Sequence, residues 1–180
     1  MINLIKTFAI EAHETVNHKY AGQPYSYHLY MVALAANEFL DYIHEDDKDD
    51  VLAACWLHDT IEDCRMSYND IKNISNERVA DMVYALSNEK GKTRAERAND
   101  KYYEGIRKVR YAAFIKLCDR IANVRHSKKE QSSMFALYKK ENINFVVKLF
   151  PYGVVSNTYE VLALNVLNAL FDTEVNTYNS

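Results

Sequence analysis

Trp56-Leu57-His58-Asp59-Thr60-Ile61-Glu62-Asp63 is the stretch whose reading decides the fold. Val51 to Leu57, leading into it, is an unbroken apolar run, the composition of a segment buried on all sides. It changes within one residue to a histidine, an aspartate, a glutamate and a second aspartate. Buried charge is costly unless it is paired or coordinated, so four ionisable groups at the end of a core segment need a partner. If one helix continues through them, His58/Glu62 and Asp59/Asp63 are two i,i+4 pairs, and all four side chains share an arc of roughly 140°. A divalent cation satisfies both imidazole nitrogen and carboxylate oxygen. The plainer alternative is a helix end that turns polar as it emerges into water.

Outward from this stretch the hydrophobic period is that of helices. Ile2, Ile5, Phe8, Ala9, Ala12 and Val16 predict an amphipathic helix over 3–17. His18 to Tyr25 breaks the pattern with Gly22 and Pro24 and reads as a loop. Val32, Ala35, Ala36, Phe39 and Leu40 form the inner face of a second helix, with His28 one turn earlier on the same side. Glu45 to Asp50 reads as a solvated acidic connector that favours the start of the central helix. Beyond it, Val79, Met82, Val83 and Leu86 mark a helix capped by Ser75 and ended by Gly91. In Lys92-Thr93-Arg94-Ala95-Glu96-Arg97 the threonine and glutamate have the spacing of a capping box. Its cations read equally as a solvated helix start or as an arm that meets phosphate. Phe114, Leu117, Cys118, Ile121 and Val124 define a helix over 112–124, bordered by Asp119 with Asn123 one turn on. Met134, Leu137, Tyr138 and Phe145 continue the pattern, a last helix spans about 158–171, and 172–180 read as a frayed polar tail.

With only four glycines and two prolines in 180 residues, a turn-rich β architecture is disfavoured. The expectation is a compact all-α bundle of six to eight helices, one domain over 1–180, its motifs within about 13–145. A net charge of −3 gives no global field for nucleic acid or anionic membrane, so neither is expected as a partner. The three cysteines, Cys55, Cys64 and Cys118, are odd in number and form no CxxC pair, which points to a reducing cytoplasm. No secretory leader is expected at the N-terminus, and no apolar run approaches the ~20 residues needed to cross a bilayer.

His28, the His58-Asp59 pair and Asp119 are then a mixed N/O donor set that suits Mn²⁺, Fe²⁺ or Zn²⁺ better than Mg²⁺ or Ca²⁺. Their order resembles that of the HD-domain metal-dependent phosphohydrolases. Three segments are similar to the hydrolase domain of the RelA/SpoT family. Pro24-Tyr25-Ser26-Tyr27-His28 resembles its Pro-Tyr-x-x-His, His58 to Asp63 its His-Asp-x-x-Glu-Asp, and Lys116 to Arg125 its Lys-Leu-Ala-Asp-Arg-x-x-Asn-x-Arg. At this length the chain looks like the free-standing small alarmone hydrolases.

The resemblance implies an enzyme in which His28, His58, Asp59 and Asp119 hold one Mn²⁺ and Glu62 and Asp63 are the catalytic pair. The implied substrate is a small nucleotide, (p)ppGpp, cleaved at its 3′-pyrophosphate. Asn123 would contact the nucleoside, Lys19 the base, Lys92 or Arg94 the distal phosphates, and Tyr138 and Lys139 the far wall. His18 stands where the family usually has arginine, and Leu29 replaces a proline. A smaller, titratable ring in place of arginine leaves an adenine alarmone or the 2′-phosphate of NADPH as alternatives. Two further readings are a phosphohydrolase of nucleoside 5′-monophosphates and a non-catalytic nucleotide-binding module that keeps the metal for structure.

Overall fold

The structure, a computed structural model, describes residues 2–87, 91–153 and 155–172. As expected it is all-α, with one two-residue hairpin. In chain order the helices are α1 (Ile2–Thr15), α2 (Ser26–Asn37), α3 (Glu45–Leu57), α4 (Thr60–Asp63), α5 (Tyr68–Ile74) and α6 (Glu77–Leu86). They continue as α7 (Arg94–Arg97), α8 (Asp100–Lys108), α9 (Ala112–Lys129), α10 (Ser133–Leu149) and α11 (Thr158–Asp172). Among the described residues no helix is long and apolar enough to cross a membrane. The polar tail beyond residue 172 lies outside the described residues.

Helix α9 is the axis of the bundle, packed against α2, α11 and α10, while α3 packs against α1, α2 and α6. The stripe read from the sequence is what it buries: Phe114, Leu117, Cys118, Ile121 and Val124 are all fully enclosed. Val51, Ala53, Ala54, Cys55 and Leu57 of α3 are enclosed too, so the central run is core. Each of the Val, Leu, Ile and Phe side chains among them contributes ~1.5–3 kcal/mol on burial. The end of α3 and the middle of α9 therefore have little freedom, and they carry most of the polar residues of interest.

Several expectations are corrected. Helix α3 does not run through to residue 63. It stops at Leu57, because the His58 ring and the Thr60 hydroxyl take up the carbonyls of Cys55 and Leu57, at 2.8 and 2.6 Å. The acidic segment at 45–50 is not a loop but the first turns of α3. Asp47 is buried, accepts hydrogen bonds from Tyr111 and Arg78, and lies 3.0 Å from Arg110. Three carboxylates in a first helical turn suit the positive end of the helix dipole. The segment at 18–25 is the hairpin Lys19–Tyr20/Gln23–Pro24, turned by Ala21 and Gly22, both at positive φ. That is the two-residue turn whose geometry matches strand twist.

Asn76, not Ser75, caps α6 by accepting from the Val79 amide, and α6 ends at Leu86, before Gly91. The capping box of Thr93 and Glu96 is formed in both directions. Helices α5 and α8 went unanticipated. The Tyr102, Tyr103 and Ile106 stripe of α8, capped by Asn99, was nevertheless present to be read.

Candidate active site

The turn between α3 and α4 aims two side chains inward. His58 donates from Nδ1 to the Cys55 carbonyl, which orients the ring and points Nε2 into the bundle. Asp59 follows, its Oδ2 2.7 Å from His58 Nε2 and 3.7 Å from Nε2 of His28, which sits in the first turn of α2. From α9, Asp119 Oδ1 comes within 3.3 Å of the same His28 nitrogen. Ligand atoms of His28, His58 and Asp119 all lie within 4.8 Å of one another. Asp59 lies against both imidazoles but outside that tightest trio. The four side chains expected to hold a metal thus come from three separate parts of the chain, α2, the α3–α4 turn and α9, to one point.

The donor set fits a divalent transition metal. His58 Nε2 is buried and has no hydrogen bond of acceptable geometry, although a carboxylate oxygen is 2.7 Å away. The two groups are pressed together in a buried site, and a cation drawing on both nitrogen and oxygen would satisfy them together. Two nitrogens and two carboxylates are borderline ligands, suited to Mn²⁺, Fe²⁺ or Zn²⁺.

Neighbours hold each ligand in turn. The Tyr25 hydroxyl donates to Asp59 Oδ2 at 2.6 Å. Lys116 Nζ is 2.9 Å from Asp119 Oδ2, and the Asn123 amide donates to Asp119 Oδ1 at 2.6 Å. Tyr20 closes this network by donating to the Asn123 oxygen at 2.8 Å while its ring stacks 4.7 Å from His28. Arg120 and Arg125 leave Asp119 alone, being paired with Glu141 and Glu38. Burial would raise the Asp119 carboxyl, but the Lys116 charge and His28 outweigh it and hold it well below the usual carboxylate range. Burial likewise works against the Asp59 carboxylate and is overcome by His58, leaving it depressed. Burial, the largest single influence, would lower His58, but the charge and hydrogen bond of Asp59 and the Asp119 charge together outweigh it and push the ring up to about 9.

Beside this cage, α4 carries Glu62 and Asp63, both partly buried. Asp63 is pushed up to about 7, first by burial and then by repulsion from Asp59 and Glu62. Glu62 Oε1 is 3.9 Å from an Arg97 guanidinium nitrogen. Arg97 lines a cleft of about 540 Å³ together with Lys116, Asp119, Asn123, Tyr138 and Lys148. A second cavity of about 650 Å³, bordered by Tyr20, Tyr27 and His126, shares Asn123 and Tyr138 with the first. The two therefore meet over Asp119's neighbour on α9.

Not every expected substrate residue is at this cleft. Asn123 and Tyr138 line both cavities, but Lys19 is exposed on the hairpin and lines neither. Lys139 donates to the Phe171 carbonyl at 3.2 Å, turned toward α11. Lys92 is exposed and off the cleft, and the Arg94 side chain lies outside the described residues. Arg97, three residues after Arg94 at the end of α7, borders the cleft. His18 does not face the cleft either. It stacks on Tyr25 at 3.9 Å, with its Nδ1 3.2 Å from that of His13.

Three residues at the site have no role assigned from the sequence: Tyr25, Lys116 and Tyr20. Lys116 precedes Asp119 by three residues, the spacing of neighbours on one helix face, so its pairing was readable. Tyr25 stood within a quoted motif. Nothing local to Tyr20 announces its contact with Asn123, 103 positions away.

The family model described as HD domain matches residues 6–144. Over 119 residues the chain is 29% identical to the guanosine-3′,5′-bis(diphosphate) 3′-pyrophosphohydrolase MESH1 of Danio rerio, covering 66% of this chain. The match spans 64% of that relative, just under two thirds of its length. A solved structure, described as a metazoan ortholog of SpoT that hydrolyzes ppGpp and plays a role in starvation responses, superposes with a TM-score of 0.72. It is 21% identical, with 97% of this chain and 95% of that one covered, a likeness of fold.

Proposed function

Because the chain belongs to the HD domain family, we propose that it is a Mn²⁺-dependent hydrolase that removes the 3′-pyrophosphate of a guanosine alarmone. Water and ppGpp would give GDP and pyrophosphate; pppGpp would give GTP. The observation that carries the reading is the His28/His58/Asp59/Asp119 cage set beside Glu62 and Asp63 at the edge of a cleft bordered by Arg97, Lys116 and Lys148. The pyrophosphohydrolase name of the zebrafish relative supports the choice of reaction.

In the cage, His28, His58, Asp59 and Asp119 would hold Mn²⁺, which supplies Lewis acidity at the phosphoryl oxygens. The remaining chemistry belongs to the chain. Asp63, pushed up to about 7 by burial and its acidic neighbours, is suited to accept a proton from the attacking water near neutral pH. Glu62 can orient that water or return a proton to the departing 3′-oxygen. Arg97 and Lys148 supply positive charge for the pyrophosphate, which spreads charge over its oxygens as the P–O bond breaks. Lys116 and Tyr25 act through the carboxylates they hold. Asn123 and Tyr138, between the two cavities, are placed to meet the nucleoside. The three free, buried cysteines suit a reducing cytoplasm.

His18 and Lys19 border neither of the two cavities, and His18 stands where the family has arginine, so the choice of base is the point to test. The test is therefore a panel: ppGpp, pppGpp, their adenine analogues, NADPH and nucleoside 5′-monophosphates, each with Mn²⁺. Pyrophosphate release from the guanosine alarmones is expected. Orthophosphate release from NADPH or a monophosphate would replace this reading with another phosphohydrolase. No product from any substrate, with equal nucleotide binding by wild type and Glu62→Gln, would leave a binding module.

A further inference from the structure

We propose that His13, His18 and Asp63 form a second divalent-metal site, of the kind Zn²⁺ takes, next to the first cage. One ligand atom from each lies within 4.8 Å of the others. His13 Nδ1 and His18 Nδ1 are 3.2 Å apart, and His18 Nδ1 is 3.5 Å from Asp63 Oδ2. Ligands about 2.0–2.1 Å from a tetrahedral ion are separated by about 3.3–3.4 Å, so the two measured separations bracket that value. A simple pair of hydrogen-bonded imidazoles would account for the first distance only. The carboxylate at 3.5 Å is too far for a good hydrogen bond yet placed where a third ligand belongs.

The fold holds these groups in position. His13 lies in the last turn of α1, and the chain turns back through Asn17 at positive φ so that the His18 amide donates to the His13 carbonyl at 3.0 Å. Tyr25 stacks on both rings, 4.4 Å from His13 and 3.9 Å from His18, fixing their planes. Asp63 comes from the end of α4, which packs against α1. His13 is 1% exposed, and its Nε2 has no partner, so its Nδ1 is the atom through which the ring makes polar contact. His18 and Asp63 are about 30% exposed, at 31% and 29%, which leaves the outer side open for water or a phosphate oxygen. Two imidazoles, one carboxylate and an open position make a set that zinc enzymes use. An ion here would occupy the Asp63 carboxylate, so the proton-accepting role given to Asp63 above belongs to the protein with this second site empty. Only this consequence rests on the proposed function; the metal site stands on its own geometry.

The test counts ions. Tag-free protein is stripped with chelator, dialysed against Zn²⁺, and its bound metal measured by plasma emission spectrometry. Wild type is expected to hold two ions per chain, and His18→Arg and His13→Phe one each. His58→Gln is expected to hold one, and the His18→Arg/His58→Gln double variant none. One ion in wild type that His18→Arg retains, or two that persist in His18→Arg, would overturn the second site and leave the hydrolase reading standing. Two ions in His58→Gln that fall to one in His18→Arg would support the second site and count against the first cage.

Discussion

Replacing Tyr25 by phenylalanine deletes a single oxygen at the point where the metal cage is oriented. The hydroxyl donates to Asp59 Oδ2 at 2.6 Å, while the ring stacks on His13 and His18. Phenylalanine keeps the ring column and loses only the donor. A hydrogen bond to a charged group contributes about 1.5–3 kcal/mol. Asp59 retains His58 at 2.7 Å, so it is not left as an isolated buried charge, and the loss is of aim rather than of folding. Removing such a partner of a metal-ligating carboxylate weakens metal binding by about 10–100-fold. At 1.4 kcal/mol per decade that is ~1.4–2.8 kcal/mol, within the range for the hydrogen bond itself. The assay is competition of apoprotein with a chromophoric chelator for Mn²⁺. A dissociation constant raised by about one to two decades, with unchanged far-ultraviolet circular dichroism, is the expected result. A constant within threefold of wild type would show that Asp59 needs no orienting donor, and the argument for Tyr25 as a positioning residue would fail.

Three further outcomes follow from the same geometry. Glu62→Gln keeps shape and removes charge, and kcat for alarmone hydrolysis should drop by about 10²–10⁴ while Mn²⁺ affinity stays within a few-fold. Unchanged kcat would remove Glu62 from the chemistry. Arg97→Ala should raise KM for ppGpp by about tenfold, less at high salt, because the half-exposed guanidinium is screened; a salt-independent change would point to a structural role instead. Asp47→Asn should destabilise the fold by about 2 kcal/mol at pH 7, since it loses the charge that Tyr111, Arg78 and Arg110 share. The hydrogen bonds from Tyr111 and Arg78 hold the Asp47 carboxyl below its ordinary value in the folded protein. Its contribution is therefore complete above the unfolded carboxylate value of about 3.9 and lost as pH falls through the folded one. In thermal melts the gap between variant and wild type should be constant from pH 7 to pH 5 and close below; a gap that persisted in acid would contradict the assignment.

What could be read from the sequence divides along physical lines. The stripe of α9 and the apolar run of α3 were legible because burial imposes a period, and period is a property of neighbours in the chain. His28, His58, Asp59 and Asp119 were legible because their order resembles a known pattern. Asp47 and Asp50 were misread because an acidic run looks solvated until its partners are known, and Arg78, Arg110 and Tyr111 lie up to 64 positions away. The directions of Lys19, Lys92 and Lys139 were hard to read for a related reason. Long cations near a motif can point either way, and neighbouring packing decides the direction: Lys139 toward the Phe171 carbonyl, Arg97 toward Glu62.

The same distinction explains why the two metal-ligand clusters differ in visibility. The first cage is built from residues a motif names. The second depends on a turn at Asn17 that folds His18 back over His13, and on a tyrosine that stacks on both. Tyr25 joins the two clusters physically, with its ring against one and its hydroxyl on the other. A change that tilts this ring must therefore disturb Asp59 and the histidine pair together. Substitutions of Tyr25 that remove the ring, unlike Tyr25→Phe, should affect both sets of ligands in one step.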